Sequence, residues 1–209
     1  MRREMKAGLR RVAGGAACLV CLAAGPQAEA GLRFRPDLAD PLGSDVRSLA
    51  VGSGVFWAGT ASGVFRGTDL AAGWSLDGLA GKPVSSVAVS GAEVFAATGE
   101  ELWRRAADGT WSRETLPSGA AFPTTVAVDA AGALWVGGLG AWRRSGTAWV
   151  AAPSPGTGIV TAMLADPAGL VVGLSGGSAA RWNGTGWAAL SGGVGPAEGI
   201  RALASFGGT

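Results

Sequence analysis

The sequence has no His and no Tyr, and its only two cysteines, Cys18 and Cys21, lie close to the N terminus. His is the commonest general base, triad partner and zinc ligand, so its absence removes the usual forms of acid–base, triad and zinc chemistry. Charged residues make up only 15% of the 209 residues, and the formal net charge is +2. Disordered tails and nucleic-acid-binding surfaces carry a strong excess of one charge, so this near balance argues against both.

Glycine is the residue that the chain has in excess, with 37 of 209 positions, against an average share of about 7%. Each glycine inside a helix costs roughly 1 kcal/mol relative to alanine. The composition therefore argues against a helical bundle and favours a fold with many tight turns.

Residues 1–30 have the three parts of a secretory signal peptide. Five basic residues come first, an apolar run covers 12–24, and Ala28 and Ala30 flank Glu29 as in a cleavage site. The apolar run of 13 residues is shorter than the roughly 20 that span a bilayer. The basic residues are Arg2, Arg3, Lys6, Arg10 and Arg11.

Cleavage near Ala30 removes both cysteines, five basic and two acidic residues, which changes the formal net charge to about −1. The sequence thus predicts a secreted or periplasmic protein without disulfides and without a stable membrane span. Two alternatives are an uncleaved anchoring helix and lipid attachment at Cys18 or Cys21. The second lacks the Leu usually found three residues before the lipidated Cys.

The remainder of the chain repeats with a period of about 38 residues. Four markers recur together: a β-type run, an aromatic or apolar run that ends in small residues, an arginine and a tryptophan. We call the last two the repeat arginines and the repeat tryptophans. The repeat arginines are Arg66, Arg104, Arg143 and Arg181, and the repeat tryptophans are Trp74, Trp111, Trp149 and Trp187.

Turn residues separate the markers and divide each unit into four short strands. Asp108-Gly109, Ser145-Gly146 and Asn183-Gly184 precede three of the repeat tryptophans, and Asp-Gly and Asn-Gly are typical of two-residue hairpins with type I′ turns. Four antiparallel strands in each repeated unit predict an all-β fold, a β-propeller of about four complete blades plus the start of a fifth. A β-sandwich or an up-and-down barrel is the alternative.

The unit from Leu49 to Trp74 resembles the two-component-regulator and BNR-like propeller repeats of exported bacterial proteins. It contains Trp57-Ala58-Gly59-Thr60 and Gly63-Val64-Phe65-Arg66. Residues 180–190 are similar to kelch-like repeats of secreted proteins. The resemblance covers residues 46–209 and implies the propeller architecture, of which WD40 and YVTN repeats are further examples, more than any one function.

These observations predict three regions: a signal peptide (1–30), an N-terminal outer strand and linker (31–45), and propeller repeats (46–209). We place the blades at about 46–80, 84–117, 123–152 and 159–190, with a partial one at 200–209. One leading outer strand and one trailing inner strand do not complete a fifth blade. We therefore expect a fragment of a longer propeller, or one whose ring closes through a partner chain.

The repeated residues are expected to be structural. A tryptophan that recurs once per blade is typical of packing between blades, although four indole faces also suit sugar stacking. The repeat arginines suggest hydrogen bonds that stabilise the blades, or edge protection by charge. Gly59, Gly137 and Gly173 suggest close packing.

Candidate binding residues lie in the loops that face the ligand side of a propeller: Asp45, Lys82, Glu100 and Glu101. The adjacent pair Glu100 and Glu101 offers oxygen ligands of the kind that Ca²⁺ takes, so Ca²⁺ is the one cofactor considered. We predict no catalytic residues and no other metal site.

The function that fits best is an exported module that binds a protein or carbohydrate ligand, without nucleic acid as a partner. One alternative is a propeller-type hydrolase or lyase with a divalent cation on the axis. Another is the sensor portion of a larger receptor. The missing remainder of its own propeller is a further candidate partner.

Overall fold

The computed structural model describes residues 45–69, 73–190 and 198–204, and within these ranges all the regular structure is β-strand. Sixteen strands form four sheets of four antiparallel strands each. In blade 1 they are β1 (Val46–Gly52), β2 (Val55–Thr60), β3 (Gly63–Gly67) and β4 (Ser75–Gly78). Blade 2 contains β5 (Ser86–Ser90), β6 (Glu93–Ala97), β7 (Leu102–Arg105) and β8 (Trp111–Glu114). Blade 3 contains β9 (Thr125–Val128), β10 (Leu134–Gly137), β11 (Ala141–Ser145) and β12 (Ala148–Ala151). Blade 4 contains β13 (Val160–Asp166), β14 (Gly169–Leu174), β15 (Ala179–Trp182) and β16 (Trp187–Leu190).

The first strand of each blade is the innermost. Strands β1, β5, β9 and β13 contact one another in that order, and each blade then runs outward strand by strand. This arrangement confirms the predicted β-propeller of four-stranded antiparallel blades. No helix long and apolar enough to cross a membrane occurs in the ranges that the structure describes.

The hairpin turns differ in detail from the prediction. Gly109, Gly146 and Gly184 have φ values of 94°, 62° and 105°, but the residue before each keeps a negative φ. The predicted type I′ geometry, which needs positive φ at both central residues, is therefore wrong for Asp108-Gly109 and Asn183-Gly184. It fits Ser53 and Gly54, with φ of 52° and 73°, between β1 and β2.

Apolar side chains form three separate cores, one between each pair of successive blades. The core between blades 1 and 2 is centred on Trp57 and Val64, the next on Phe95 and Val136, and the last on Trp135. Each blade presents an apolar face to its neighbour, because a sheet buried on one face must cover that face.

Hydroxyl side chains link the innermost strands across the blades, and we call three of them the inner-strand hydroxyls: Ser85, Thr124 and Thr161. The single O–H of each has two carbonyl oxygens within hydrogen-bond distance, one in its own blade and one in the segment that follows that blade. Ser85 Oγ lies 3.0 Å from the Ala97 oxygen and 2.7 Å from the Thr124 oxygen. Thr124 bonds Gly137 and Val160, and Thr161 bonds Gly173 and Ile200.

Small residues are required beside the inner-strand hydroxyls. A Cβ on Gly59 would approach Val84 Cγ1 to 2.8 Å, and one on Gly137 would approach Val160 Cγ1 to 2.7 Å. In both places the first residue of the following blade is β-branched and fills the space where the glycine has no side chain. Blade 2 has Ala97 at this position, and there Pro123 precedes the next inner strand.

Ile200 continues the pattern beyond blade 4. Its N–H donates to the Leu174 oxygen at 3.1 Å, just as the Val160 N–H donates to the Gly138 oxygen at 2.8 Å. Residues 200–204 are not a strand, but Ile200 lies where the inner strand of a following blade begins. The predicted signal peptide and N-terminal outer strand, except for Asp45, lie outside the described residues, as do residues 205–209 of the partial blade.

Replacing Thr124 with Val tests the inner-strand hydroxyls. The change keeps the shape and removes the donor to the Val160 oxygen, so we expect the free energy of unfolding to fall by about 1–2 kcal/mol, measured by urea denaturation. Thr147→Val is the control, because Thr147 is exposed in a turn and should change stability by less than about 0.5 kcal/mol. Equal effects of the two changes on stability would contradict a stabilising role of the Thr124 hydroxyl.

Candidate functional site

One face of the propeller collects the turns between second and third strands and the connections between blades; we call it the loop face. Backbone hydrogen bonds join these segments. The Ala61 N–H donates to the Asp45 oxygen at 3.1 Å, and the Gly81 N–H donates to the Ser62 oxygen at 2.9 Å. Asp45, Lys82, Glu100 and Glu101 all belong to this face.

Glu101 is the centre of an ion-pair network on the loop face. Its carboxylate lies 3.3 Å from Lys82 Nζ and 3.3 Å from an Arg113 guanidinium nitrogen. It also accepts a hydrogen bond of 3.0 Å from the Trp103 indole nitrogen, and the Lys82 ammonium lies 5.0 Å from the centre of the Trp103 ring. The structure thus brings Lys82 and Glu101 together across blades 1 and 2.

The pKa of Glu101 is lowered below its ordinary value. Partial burial of the carboxyl opposes ionisation, but the hydrogen bond and positive charge of Lys82 outweigh it, with help from Trp103 and Arg113. A carboxylate held by two cations is already neutralised, which makes it a structural anion more than a free ligand.

Glu100 differs from its neighbour, because it is exposed and has no hydrogen bond or ion pair with any described residue. It lies at the rim of a cavity of about 380 Å³, between the β6–β7 turn and the connection from blade 2 to blade 3. Leu116, Pro117 and Ala120 form the apolar wall of this cavity. No hydrogen bond or ion pair joins Asp45 to Lys82, Glu100 or Glu101 within the described ranges.

Two exposed apolar residues on the loop face were not predicted from the sequence. They are Phe122 and Leu139, which are 57% and 56% exposed. Phe122 has a φ of +56°, a conformation that costs a residue with a Cβ roughly 1 kcal/mol or more. The turn holding Leu139 packs against the Phe122 segment: the Leu139 N–H donates to the Ala121 oxygen at 3.3 Å, and a Cβ on Gly138 would lie 2.4 Å from the Phe122 oxygen. Their sequence context could have identified them, because each is a large apolar residue in a turn-forming sequence, Phe-Pro or Gly-Leu-Gly.

Glu100 and Phe122 lie in neighbouring segments. The Gly99 N–H donates to the Pro123 oxygen at 3.0 Å, which joins the turn that precedes Glu100 to the residue that follows Phe122. The loop face therefore presents an unpaired carboxylate and an exposed apolar pair on adjoining loops of blades 2 and 3.

Away from the loop face, ion pairs join the outer strands of successive blades. Between blades 1 and 2, Asp77 is 6% exposed and lies 2.6 Å from Nε of Arg105 in blade 2. Nε of Arg66, in the same blade as Asp77, lies 3.2 Å from the carboxylate. The Arg105 guanidinium also lies 5.1 Å from the centre of the Trp57 ring. Between blades 2 and 3 the same positions hold Glu114 and Arg144, 3.4 Å apart, with Arg144 lying 5.6 Å from the centre of the Phe95 ring.

Three of the repeat arginines pair with carboxylates. Arg66 pairs with Asp77, Arg104 with Glu93, and Arg181 with Asp166 at 3.5 Å. The hydrogen bond with Glu93 raises the pKa of Arg104. Arg143 has no carboxylate partner among the described residues, and its guanidinium lies 5.8 Å from the centre of the Trp135 ring.

The repeat tryptophans lie within one residue of the start of the outermost strands, and two reach the preceding blade. The Trp111 indole N–H donates to Asp77 at 3.0 Å, and a Cβ on Gly78 would lie 2.3 Å from it. The Trp187 indole N–H donates to the Pro153 oxygen at 2.8 Å. Trp149 is half-buried with its indole N–H unpaired, and Trp74 packs beside Gly67 in blade 1.

Among the described residues there is no group of three or more Asp, Glu, Cys or His side chains able to hold a metal ion. Of the two acidic residues considered as Ca²⁺ ligands, Glu101 forms ion pairs with Lys82 and Arg113.

Solved structures with the same architecture are β-propellers. The chain is 19% identical to YCF48 bound to D1 peptide, with a TM-score of 0.56 over 71% of this chain and 54% of that one. It is 16% identical to the extracellular domain of the putative one component system BT4673 from B. thetaiotaomicron, with a TM-score of 0.55 over 69% of this chain and 22% of that one. It is 14% identical to virginiamycin B lyase from Staphylococcus aureus, with a TM-score of 0.55 over 70% and 55%.

These likenesses establish the propeller fold alone. The chain spans about half the length of YCF48 and of the lyase, and about a fifth of the BT4673 domain. No family model and no curated protein matches the chain.

Replacing Asp77 with Asn tests the ion pair between blades 1 and 2. The change leaves the largely buried Arg105 without its counter-charge, so we expect the free energy of unfolding to fall by about 3–5 kcal/mol, measured by chemical denaturation. Asp45→Asn removes the same charge from an exposed position and should be nearly neutral. A loss below about 1 kcal/mol for Asp77→Asn would contradict the assignment.

The lowered pKa of Glu101 predicts a pH-dependent contribution to stability. A carboxyl whose pKa is lower in the folded state stabilises the fold above its ordinary pKa of 4.5, and this contribution is lost as the pH falls through the folded-state value. We therefore expect Glu101→Gln to destabilise the protein at pH 7 and to have progressively less effect below pH 4.5, measured by denaturation across pH. Glu100→Gln, at an unpaired carboxylate, should leave stability unchanged. A Glu101→Gln effect independent of pH would refute the prediction.

Proposed function

We propose that the chain is a non-catalytic binding module that acts outside the cytoplasm and holds a segment of another protein on its loop face. The observation that supports this most directly is Phe122, an exposed aromatic residue in a strained backbone conformation. Strained residues persist where the surrounding structure holds them, and they are common at binding sites.

The chemistry of the loop face suits an extended peptide segment. Phe122 and Leu139 offer apolar surface on adjoining turns, and aromatic residues are enriched where proteins bind one another. Glu100, exposed beside them, is available for a cation. The expected partner segment therefore carries a large apolar residue followed or preceded by Lys or Arg.

Two structural neighbours agree with this class of function without extending it to this chain. The YCF48 structure contains a bound D1 peptide, and the BT4673 structure is an extracellular domain. Residues 1–30 have the pattern of a secretory signal peptide, which supports export of the present chain as well.

Phe122→Gly separates binding from folding. Glycine adopts positive φ at no steric cost, so the variant should unfold at the same or a higher denaturant concentration than the parent. The same change removes the aromatic contact, so we expect affinity for peptides selected from a displayed random library to fall at least tenfold, measured by calorimetry or interferometry.

Leu139→Ser and Glu100→Gln extend this test. The first should weaken all selected peptides, and the second should weaken mainly those with Lys or Arg. Arg47→Gln, an exposed charge change on the inner strand β1, is the control and should bind as the parent does. A library that yields no sequence preference, or peptides whose binding is unaffected by Phe122→Gly, would overturn the proposal.

A further inference from the structure

The interface between blades 3 and 4 departs from the two before it. Trp182 follows a repeat arginine at the position that Arg105 and Arg144 occupy, and Ala152 stands where Asp77 and Glu114 supply the carboxylate. An indole and a methyl group have thus replaced an ion pair. The Trp182 ring packs against Trp135, with ring centroids 5.2 Å apart. At the two other interfaces, a guanidinium lies over the ring at the position equivalent to Trp135.

A cavity of about 330 Å³ lies at this interface and opens at the outer side of the blades. Its apolar wall includes Trp135, Trp182 and Val150, and its polar side is formed by Arg143, Ser145 and Thr185. The volume lies at the lower end of the range of small-molecule pockets, about 300–1,000 Å³. Apolar and aromatic walls with a few polar groups are typical of such pockets.

Arg143 gives the cavity its charge. It is the repeat arginine that lacks a carboxylate among the described residues, although the three equivalent arginines each have one. A guanidinium fork binds a carboxylate with two parallel hydrogen bonds. A ligand that gives Arg143 the same kind of partner as the other repeat arginines therefore carries a carboxylate.

Trp182 defines the rest of the ligand. Trp187 and Trp135 hold its ring in edge-to-face contacts, with centroids 5.2 Å away in both cases. A fixed indole face beside a cation suits a ring whose faces carry C–H groups, because these groups carry partial positive charge and the face of an aromatic ring is negative. A pyranose with a carboxyl group has both features, and its hydroxyl groups can bond Ser145 and Thr185.

We propose that the cavity between blades 3 and 4 binds a uronic acid unit of an acidic carbohydrate, with its carboxylate on Arg143 and its ring against Trp182. The site is separate from the loop face, so it does not depend on the peptide binding proposed above.

Calorimetric titration of the full chain with trigalacturonic acid tests the proposal, with maltotriose as the neutral probe and an N-acetylated peptide ending in a free carboxylate as a third. We expect the uronate to bind at least tenfold more tightly than the neutral sugar. Arg143→Gln should lower uronate affinity at least tenfold, whereas Arg113→Gln removes the same charge from the loop face, where Arg113 is 66% exposed, and should have no effect.

Restoring the repeat provides a second variant. The double change A152E/W182R recreates the ion pair of the second interface, so the protein should remain folded. It also removes the Trp182 ring and places a carboxylate beside the cavity, so uronate binding should be lost. Where that variant fails to fold, Val150→Glu, at a residue 54% exposed, places a negative charge at the cavity mouth and should lower affinity at least tenfold. Equal binding of uronate and neutral sugar, binding of the peptide carboxylate alone, or no binding at all would overturn the proposal.

Discussion

The contact between neighbouring blades is the constraint on which this structure depends. Within a blade, ladder hydrogen bonds join the strands, but from one blade to the next the described backbone segments meet mainly through side chains and a few connections. Each four-stranded sheet is too small to bury its apolar faces alone, so its stability comes from the neighbour that covers it. The inner-strand hydroxyls make this dependence specific, since the single O–H of each lies within hydrogen-bond distance of carbonyls of its own blade and of the next one.

Farther from the axis, the same requirement is met in a different way at different interfaces. Between blades 1 and 2 the nearly buried Asp77 gathers Arg66, Arg105 and Trp111. Removing one member leaves the others with buried charge, which is why such a pair fixes the register of two blades more than it adds net stability. Between blades 3 and 4, indole packing substitutes for this charge pair beside a cavity of about 330 Å³. Because this interface has no carboxylate at the position of Asp77, Arg143 is available to bind a carboxylate of a ligand.

The sequence predicted the repeated part of the molecule well and the irregular part poorly. Period, strand number and antiparallel order follow from patterns that recur four times, so an error in one unit is corrected by the others. The positions of Phe122 and Leu139 could not be obtained that way, because they occur once, in turns whose backbone depends on contacts from Gly138 and Pro123. Adjacent Glu100 and Glu101 looked equivalent in sequence, but in the β6–β7 turn the side chain of Glu101 reaches Lys82 and Arg113, whereas that of Glu100 is exposed to solvent.

In a repeat protein, each residue can be compared with the residues at the equivalent positions of the other repeats. Where four equivalent positions share one role, a shared residue is explained by the fold, and a departure from it requires a separate cause. Two residues depart from the repeat: Arg143 has no carboxylate partner among the described residues, and Trp182 stands in place of a guanidinium. Neither departure adds a hydrogen bond to the backbone ladder or a contact between the inner strands. Phe122 departs in the same sense, because its positive φ opposes stability and its ring remains exposed. Residues that cost folding free energy, or that lack the partner their equivalents have, are those whose retention is best explained by contact with something outside the chain.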